Sequence, residues 1–112
     1  MSGDIVFFDL PGKDAGATAK FWESLFGWEF RKGNFPGYSM IHGPSPMGGF
    51  PHGDTSKSPR VYFGVDDLNA AIERVRELGG TAGETVTIPS GMFANCVDDQ
   101  GVEFSLFQAA GE

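Results

Sequence analysis

Short apolar runs alternate along the chain with polar breaks that carry glycine or proline. In "VFFDLP" an extended strand puts Val6, Phe8 and Leu10 on one face and Phe7 and Asp9 on the other. A carboxylate set into such a run is either a solvent-facing group or part of a cavity wall. Beyond it, Ala17, Phe21, Leu25 and Phe26 recur at helical spacing and predict a helix over 14–26, stopped by Gly27. The pattern then repeats. A strand is predicted over 60–65 and a helix over 67–78, with Leu68, Ala71, Ile72, Val75 and Leu78 on one stripe and Gly79 and Gly80 at its end. Asp14 and Asp66 or Asp67 stand at the helix starts, where a short carboxylate caps the first turn. Three short strands follow each helix. In the first half they are "WEFRK", "YSMIH" and a segment near "MGGF"; in the second they are 82–88, 91–97 and 102–107. The turn signals "GNFPG", "GPSP", "PSG" and "DDQG" separate them, with Asp98 and Asp99 in turn-forming positions.

The two halves can be superimposed as sequence. A shift of 53 residues brings Asp14 onto Asp67, Ala17 onto Ala70, Leu25 onto Leu78, Gly27 onto Gly80 and Gly48 onto Gly101. The polar stretch 51–59 joins them. The expected architecture is a single α+β domain over 1–112, built as βαβββ twice, with module one at about 1–54 and module two at about 60–112.

Composition narrows the field. At 112 residues and 40% hydrophobic, the chain can form one real core. A net charge of −7 repels phosphate backbones and argues against nucleic-acid binding. No stretch has the length of a membrane-spanning helix, and the opening "MSGDIVFFDL" lacks the basic and apolar regions of a signal peptide. The single cysteine, Cys96, cannot form an internal disulfide, which suits a reducing cytoplasm, and its strand-like surroundings make it a core residue. Neither a phosphate-binding P-loop nor a G-x-S-x-G nucleophile motif occurs.

Three segments together, "FWESLFGW", "VYFGVDDLNAAIERVRELGG" and "DDQGVEFSLFQ", resemble the vicinal oxygen chelate superfamily, which includes glyoxalase I, the bleomycin resistance proteins and extradiol dioxygenases. The resemblance covers nearly the whole chain. It implies two βαβββ modules whose mixed sheets curve around a shared cleft, and often a homodimer. It also implies that the face holding Phe7, Asp9, Arg60 and Tyr62 lines that cleft. Catalytic members chelate a divalent metal with His, Gln and Glu. Their first ligand position falls here on Phe7, its partner on Arg60 and the final one on Ser105, which the 53-residue shift pairs with His52. A benzyl group cannot ligate a metal, a guanidinium repels one, and a lone serine is a poor ligand. His52 follows Pro51, which is disfavoured inside a sheet. No metal or other cofactor is therefore expected, although His42, His52, Asp9 and Glu103 are further candidate donors.

The expected function is binding of a small, partly planar organic molecule. The ligand-binding candidates are Phe7, Asp9, Arg60, Tyr62, Glu103, Ser105, Phe107 and His52, with Trp28, Phe35, Tyr38, Phe50 and Phe93 as further rings. Arg60 would hold an anionic ligand or pair with Asp9. The alternative is a lyase or isomerase of glyoxalase type, with Asp9 or Glu103 as catalytic base and Arg60 stabilising an oxyanion. A third possibility is an interaction module whose interface uses Trp22 and Phe26.

Overall fold

The computed structural model describes residues 3–33 and 36–111. Its element order is β1 (Ile5–Asp9), α1 (Ala15–Phe26), β2 (Glu29–Lys32), β3 (Tyr38–His42), β4 (Gly48–Pro51), β5 (Arg60–Gly64), α2 (Leu68–Glu77), β6 (Thr81–Ala82), β7 (Val86–Ile88), β8 (Gly91–Val97) and β9 (Glu103–Ala109). This is the expected α+β succession of two βαβββ modules, except that the strand predicted over 82–88 is two short strands, β6 and β7, both paired to β8. Two compact units form: Phe7–Arg60, and Val61–Glu112 together with Met1–Val6. No helix among the described residues is long and apolar enough to cross a membrane.

In the unit Phe7–Arg60, β4 lies between β3, to which it is antiparallel, and β1, to which it is parallel; β2 continues the sheet beyond β3. Parallel and antiparallel pairing therefore coexist in one sheet. Leu10, Ile41 and Phe50 are buried on the face that α1 covers, with Phe8, Ala15, Trp22, Trp28 and Phe30 packed around them. Asp14 caps α1 by accepting a hydrogen bond from the Ala17 amide at 3.0 Å. Gly27 ends the helix in the left-handed region, at φ 75°, and its amide donates to the Glu23 carbonyl.

The orientation of α1 departs from the sequence expectation. The stripe of Ala17, Phe21 and Leu25 faces outward, and Phe21 and Leu25 are 60% and 55% exposed. Trp22 turns inward instead. Its indole stacks on Trp28 at 5.5 Å between ring centroids and 9° between planes, and it also stacks on Phe26. The flat contact between two indoles gives Trp22 the larger burial gain, so the helix rotates to make it.

In the other unit, β5 and β9 run parallel, β9 and β8 antiparallel, and β6 and β7 flank β8. The amide of Gly64 donates to the carbonyl of Asp4 and the Gly64 carbonyl accepts from the Gly3 amide, so residues 3–4 run beside the end of β5. α2 covers a core of Leu68, Ile72, Ala94, Cys96 and Leu106, which places Cys96 where its surroundings predict. Asp67 caps the helix through the Ala70 amide, and the Gln108 side-chain oxygen accepts from the Leu68 amide at 2.7 Å. The inward stripe stops at Val75, because Leu78 is 60% exposed.

The β8–β9 turn shows what Asp98 does. Its carboxylate accepts from the amides of Gln100, at 2.8 Å, and Val102, at 2.9 Å. The Val102 and Gln100 amides hold its pKa below the ordinary 3.8. A depressed folded-state value means that the turn's contribution to stability is complete above the unfolded pKa and is lost as pH falls through the folded one. The Asp98→Asn variant should therefore lose less stability than the parent between about pH 5 and pH 2, read as thermal midpoints across that range. The orientation of α1 gives a second expectation. Trp22→Ala should cost about 2 kcal/mol, a half-buried fraction of a full aromatic truncation, whereas Phe21→Ser should stay within about 0.5 kcal/mol by urea denaturation.

Candidate functional site

Each unit has a helix-covered sheet face and an opposite face, and strand alternation assigns every candidate to one of them. In the unit Phe7–Arg60, Phe8 and Leu10 go to the core, so Phe7 and Asp9 fall on the opposite face, as the sequence pattern predicts. Asp9 lies beside Gly49 in the parallel β1–β4 register, and Gly49 in turn pairs with Met40. The Tyr38 hydroxyl donates to Asp9 Oδ1 at 2.9 Å, across the backbone of β4. That contact requires glycine. A Cβ built on Gly49 would stand 1.7 Å from the Tyr38 hydroxyl oxygen and 2.8 Å from Asp9 Oδ1. His42 shares this face, opposite Glu29 in the β2–β3 register. Glu29 is held below its ordinary pKa chiefly by its hydrogen bond from Arg31 and by the Arg31 charge, with a smaller contribution from His42.

His52 is not on this face. Its Nε2 is 2.7 Å from the Ser39 hydroxyl, and its ring lies 5.1 Å from that of Phe50, which is buried under α1. Pro51 is the last residue of β4 and pairs with Tyr38, while the His52 amide reaches the Gly37 carbonyl. Proline is tolerated there because alternation points its nitrogen away from β3, past the end of β1. Trp28 and Phe50 also belong to the core rather than to a ligand-facing surface. Phe35 lies outside the described residues. Arg60, at the start of β5, adds its charge to a depressed Asp54 carboxyl, whose main stabilisation is the Ser56 amide and hydroxyl.

In the other unit, Tyr62 stands beside Ser105 and Gly64 beside Phe107. Phe107 faces Phe93 across the β8–β9 ladder, and the Tyr62 and Phe93 rings meet edge-on at 5.8 Å. Tyr62, Phe93 and Phe107 thus make an aromatic surface on the face opposite α2. Ser105 is fully buried beside it and donates to Asn95 Oδ1 at 2.6 Å. Glu103 opens β9, exposed and opposite Val97. Asn95 was not visible as a partner from composition or motif. Its signal is the symmetry of the hairpin about "DDQG", which sets 95 against 105.

The register also corrects the alignment of the halves. Asp9 corresponds to Tyr62 under the 53-residue shift, and their parallel neighbours are Gly49 and Ser105. The counterpart of Ser105 is therefore Gly49, not His52. The four positions at which metal-binding relatives are expected to carry ligands hold Phe7, Gly49, Arg60 and Ser105. None offers the nitrogen or carboxylate donors that a divalent cation needs. At Gly49 the space for a ligating side chain is taken by the Tyr38 hydroxyl. These residues do not fit the metal. Among the described residues, no three His, Cys, Asp or Glu side chains gather as a potential metal site.

Two βαβββ modules of this kind define the fold of the vicinal oxygen chelate superfamily, to which the chain belongs. Within it, the chain is a member of the glyoxalase-like domain family, whose sequence model matches residues 5–107. It is 34% identical over 91 residues to a glyoxylase-like domain-containing protein of Didymella fabae, covering 71% of each chain. It is 28% identical over 118 aligned positions to the protein named "Putative glyoxylase CFP32" of Mycobacterium bovis, covering 90% of this chain but 44% of that protein, so it spans less than half of that relative. In structure it resembles methylmalonyl-CoA epimerase from Mycobacterium tuberculosis, with a TM-score of 0.67 and 13% identity over 97% of this chain and 89% of the other. That likeness concerns the fold.

Gly49→Ala should force the Tyr38 ring aside and break its bond to Asp9, costing roughly 1–3 kcal/mol. Combining it with Tyr38→Ala should make the two costs strongly non-additive, measured as a double-mutant cycle in urea; additive costs would show that the two residues do not compete for one space.

Proposed function

We propose that this glyoxalase-like chain binds a small, partly planar organic molecule without the divalent metal used by catalytic relatives. The observation that carries the proposal is the set of residues at the four ligand positions, Phe7, Gly49, Arg60 and Ser105, with the Tyr38 hydroxyl filling the space above Gly49. The aromatic surface of Tyr62, Phe93 and Phe107 supports it, because half-buried rings grouped on one sheet face suit flat apolar ligands. In the unit of those rings, Ser105 donates to Asn95 and fixes a polar group on the same sheet face; in the unit Phe7–Arg60, Tyr38 fixes the Asp9 carboxylate. The same proposal carries the homodimer implied by the resemblance, with no nucleic-acid or membrane partner. The catalytic alternative keeps Asp9 or Glu103 as the base.

The deciding experiment pairs metal analysis with ligand titration. Tag-free protein exposed to Ni²⁺, Zn²⁺, Mn²⁺ and Fe²⁺ and then freed of excess should retain well under one metal per chain. A panel of flat aromatic compounds should then give saturable binding by calorimetry, weakened at least tenfold by Tyr62→Ala. One tightly held metal per chain would overturn the proposal. Turnover that survives a chelator and disappears in Asp9→Asn would replace it with the catalytic alternative.

A further inference from the structure

The Ser39–His52 pair lies apart from the surfaces described above. It is on the α1 side of its sheet, away from Asp9, Tyr38 and Gly49. The two side chains come from adjacent strands and meet at 2.7 Å between Oγ and Nε2. That is the separation of a serine nucleophile and its general base. The arrangement is held at several points. Ser39 is locked in the β3 ladder opposite Phe50, the His52 amide is bonded to the Gly37 carbonyl, and the imidazole rests against the Phe50 ring. Phe50 is 1% exposed, so this wall is rigid and apolar, while His52 itself is open to solvent and to an incoming reagent. Lys32 is the direct cross-strand neighbour of Ser39 in β2, which brings a cationic side chain to the same face.

We propose that Ser39 is a reactive hydroxyl of this chain, with His52 as its base, and that the pair accepts an acyl group from an activated ester. With the neutral imidazole protonated on Nδ1, the Ser39 hydroxyl donates to Nε2. In the reaction Oγ attacks the acyl carbon, its proton passes to Nε2, and a new O–C bond forms. The ester's C–O bond then breaks and the alkoxide or phenolate leaves with the electron pair; the proton on Nε2 is released to solvent or to that leaving group. No oxidant or reductant is needed. The Lys32 charge favours the oxyanion that develops on the acyl oxygen. Among the described residues no group bonds to His52 Nδ1, so the pair works as a dyad, and the product is an acyl-serine.

The probe is p-nitrophenyl acetate with the intact chain, followed by peptide mapping. The expected result is one acetyl group per chain located on Ser39, with a matching burst of nitrophenolate. Ser39→Ala should abolish the burst, and His52→Gln should slow acetylation at least tenfold, in line with the contribution of a general base. A label found only on lysines or the amino terminus of the unmodified chain would overturn the proposal without recourse to any variant. So would an unchanged acetylation rate in folded His52→Gln. Circular dichroism of each variant establishes that it is folded.

Discussion

Two adjacent residues without side chains, Gly48 and Gly49 in β4, determine what both faces of their sheet can do. A Cβ on Gly48 would stand 2.5 Å from the Phe8 ring, and one on Gly49 would stand 1.7 Å from the Tyr38 hydroxyl. Because neighbouring residues of a strand point to opposite faces, one glycine lets an aromatic ring lie across the strand on the core side, and the other lets a second ring lie across it on the opposite side. The core side depends on the first arrangement: Phe8 packs toward Trp28, which stacks on Trp22 and so sets the rotation of α1. The polar side depends on the second, since Tyr38 can reach Asp9 only over bare backbone.

Much of the fold was legible before any coordinates. Alternation in "VFFDLP" and "RVYFG" sorts core from opposite face, because a strand reverses side at every residue whatever surrounds it. The helix caps at Asp14 and Asp67 and the glycine stop at Gly27 are equally local, set by orphan backbone groups within one turn. The rotation of α1 was not legible. Its apolar residues, Ala15, Ala17, Ala19, Phe21, Trp22, Leu25 and Phe26, occupy much of the helix circumference, so spacing alone fits two different inward faces. The choice between them rests on Trp28, which lies beyond the helix.

The candidate site was legible where it followed strand parity and obscure where it followed register. Phe7, Asp9, Tyr62 and Phe107 fall on the expected faces. His52 does not, because a constant shift between the halves assumes equal spacing from the first strand to the last, and the second module carries three more residues between the paired positions than the first. Hydrogen-bond register places Gly49 opposite Asp9, and no sequence pattern marks it. His52, displaced from one face, acquires Ser39 on the other.

The crowding at Gly49 also bears on how such a chain could change over generations. A carboxylate or imidazole introduced at this position alone has no room beside Tyr38, so the intermediate is destabilised before any coordinating ability appears. Removing Tyr38 first abandons its bond to Asp9 with nothing yet gained. Any larger side chain at 49 is therefore reached only by paired changes at 38 and 49, so Gly49 stays fixed against single substitutions for as long as Tyr38 holds Asp9.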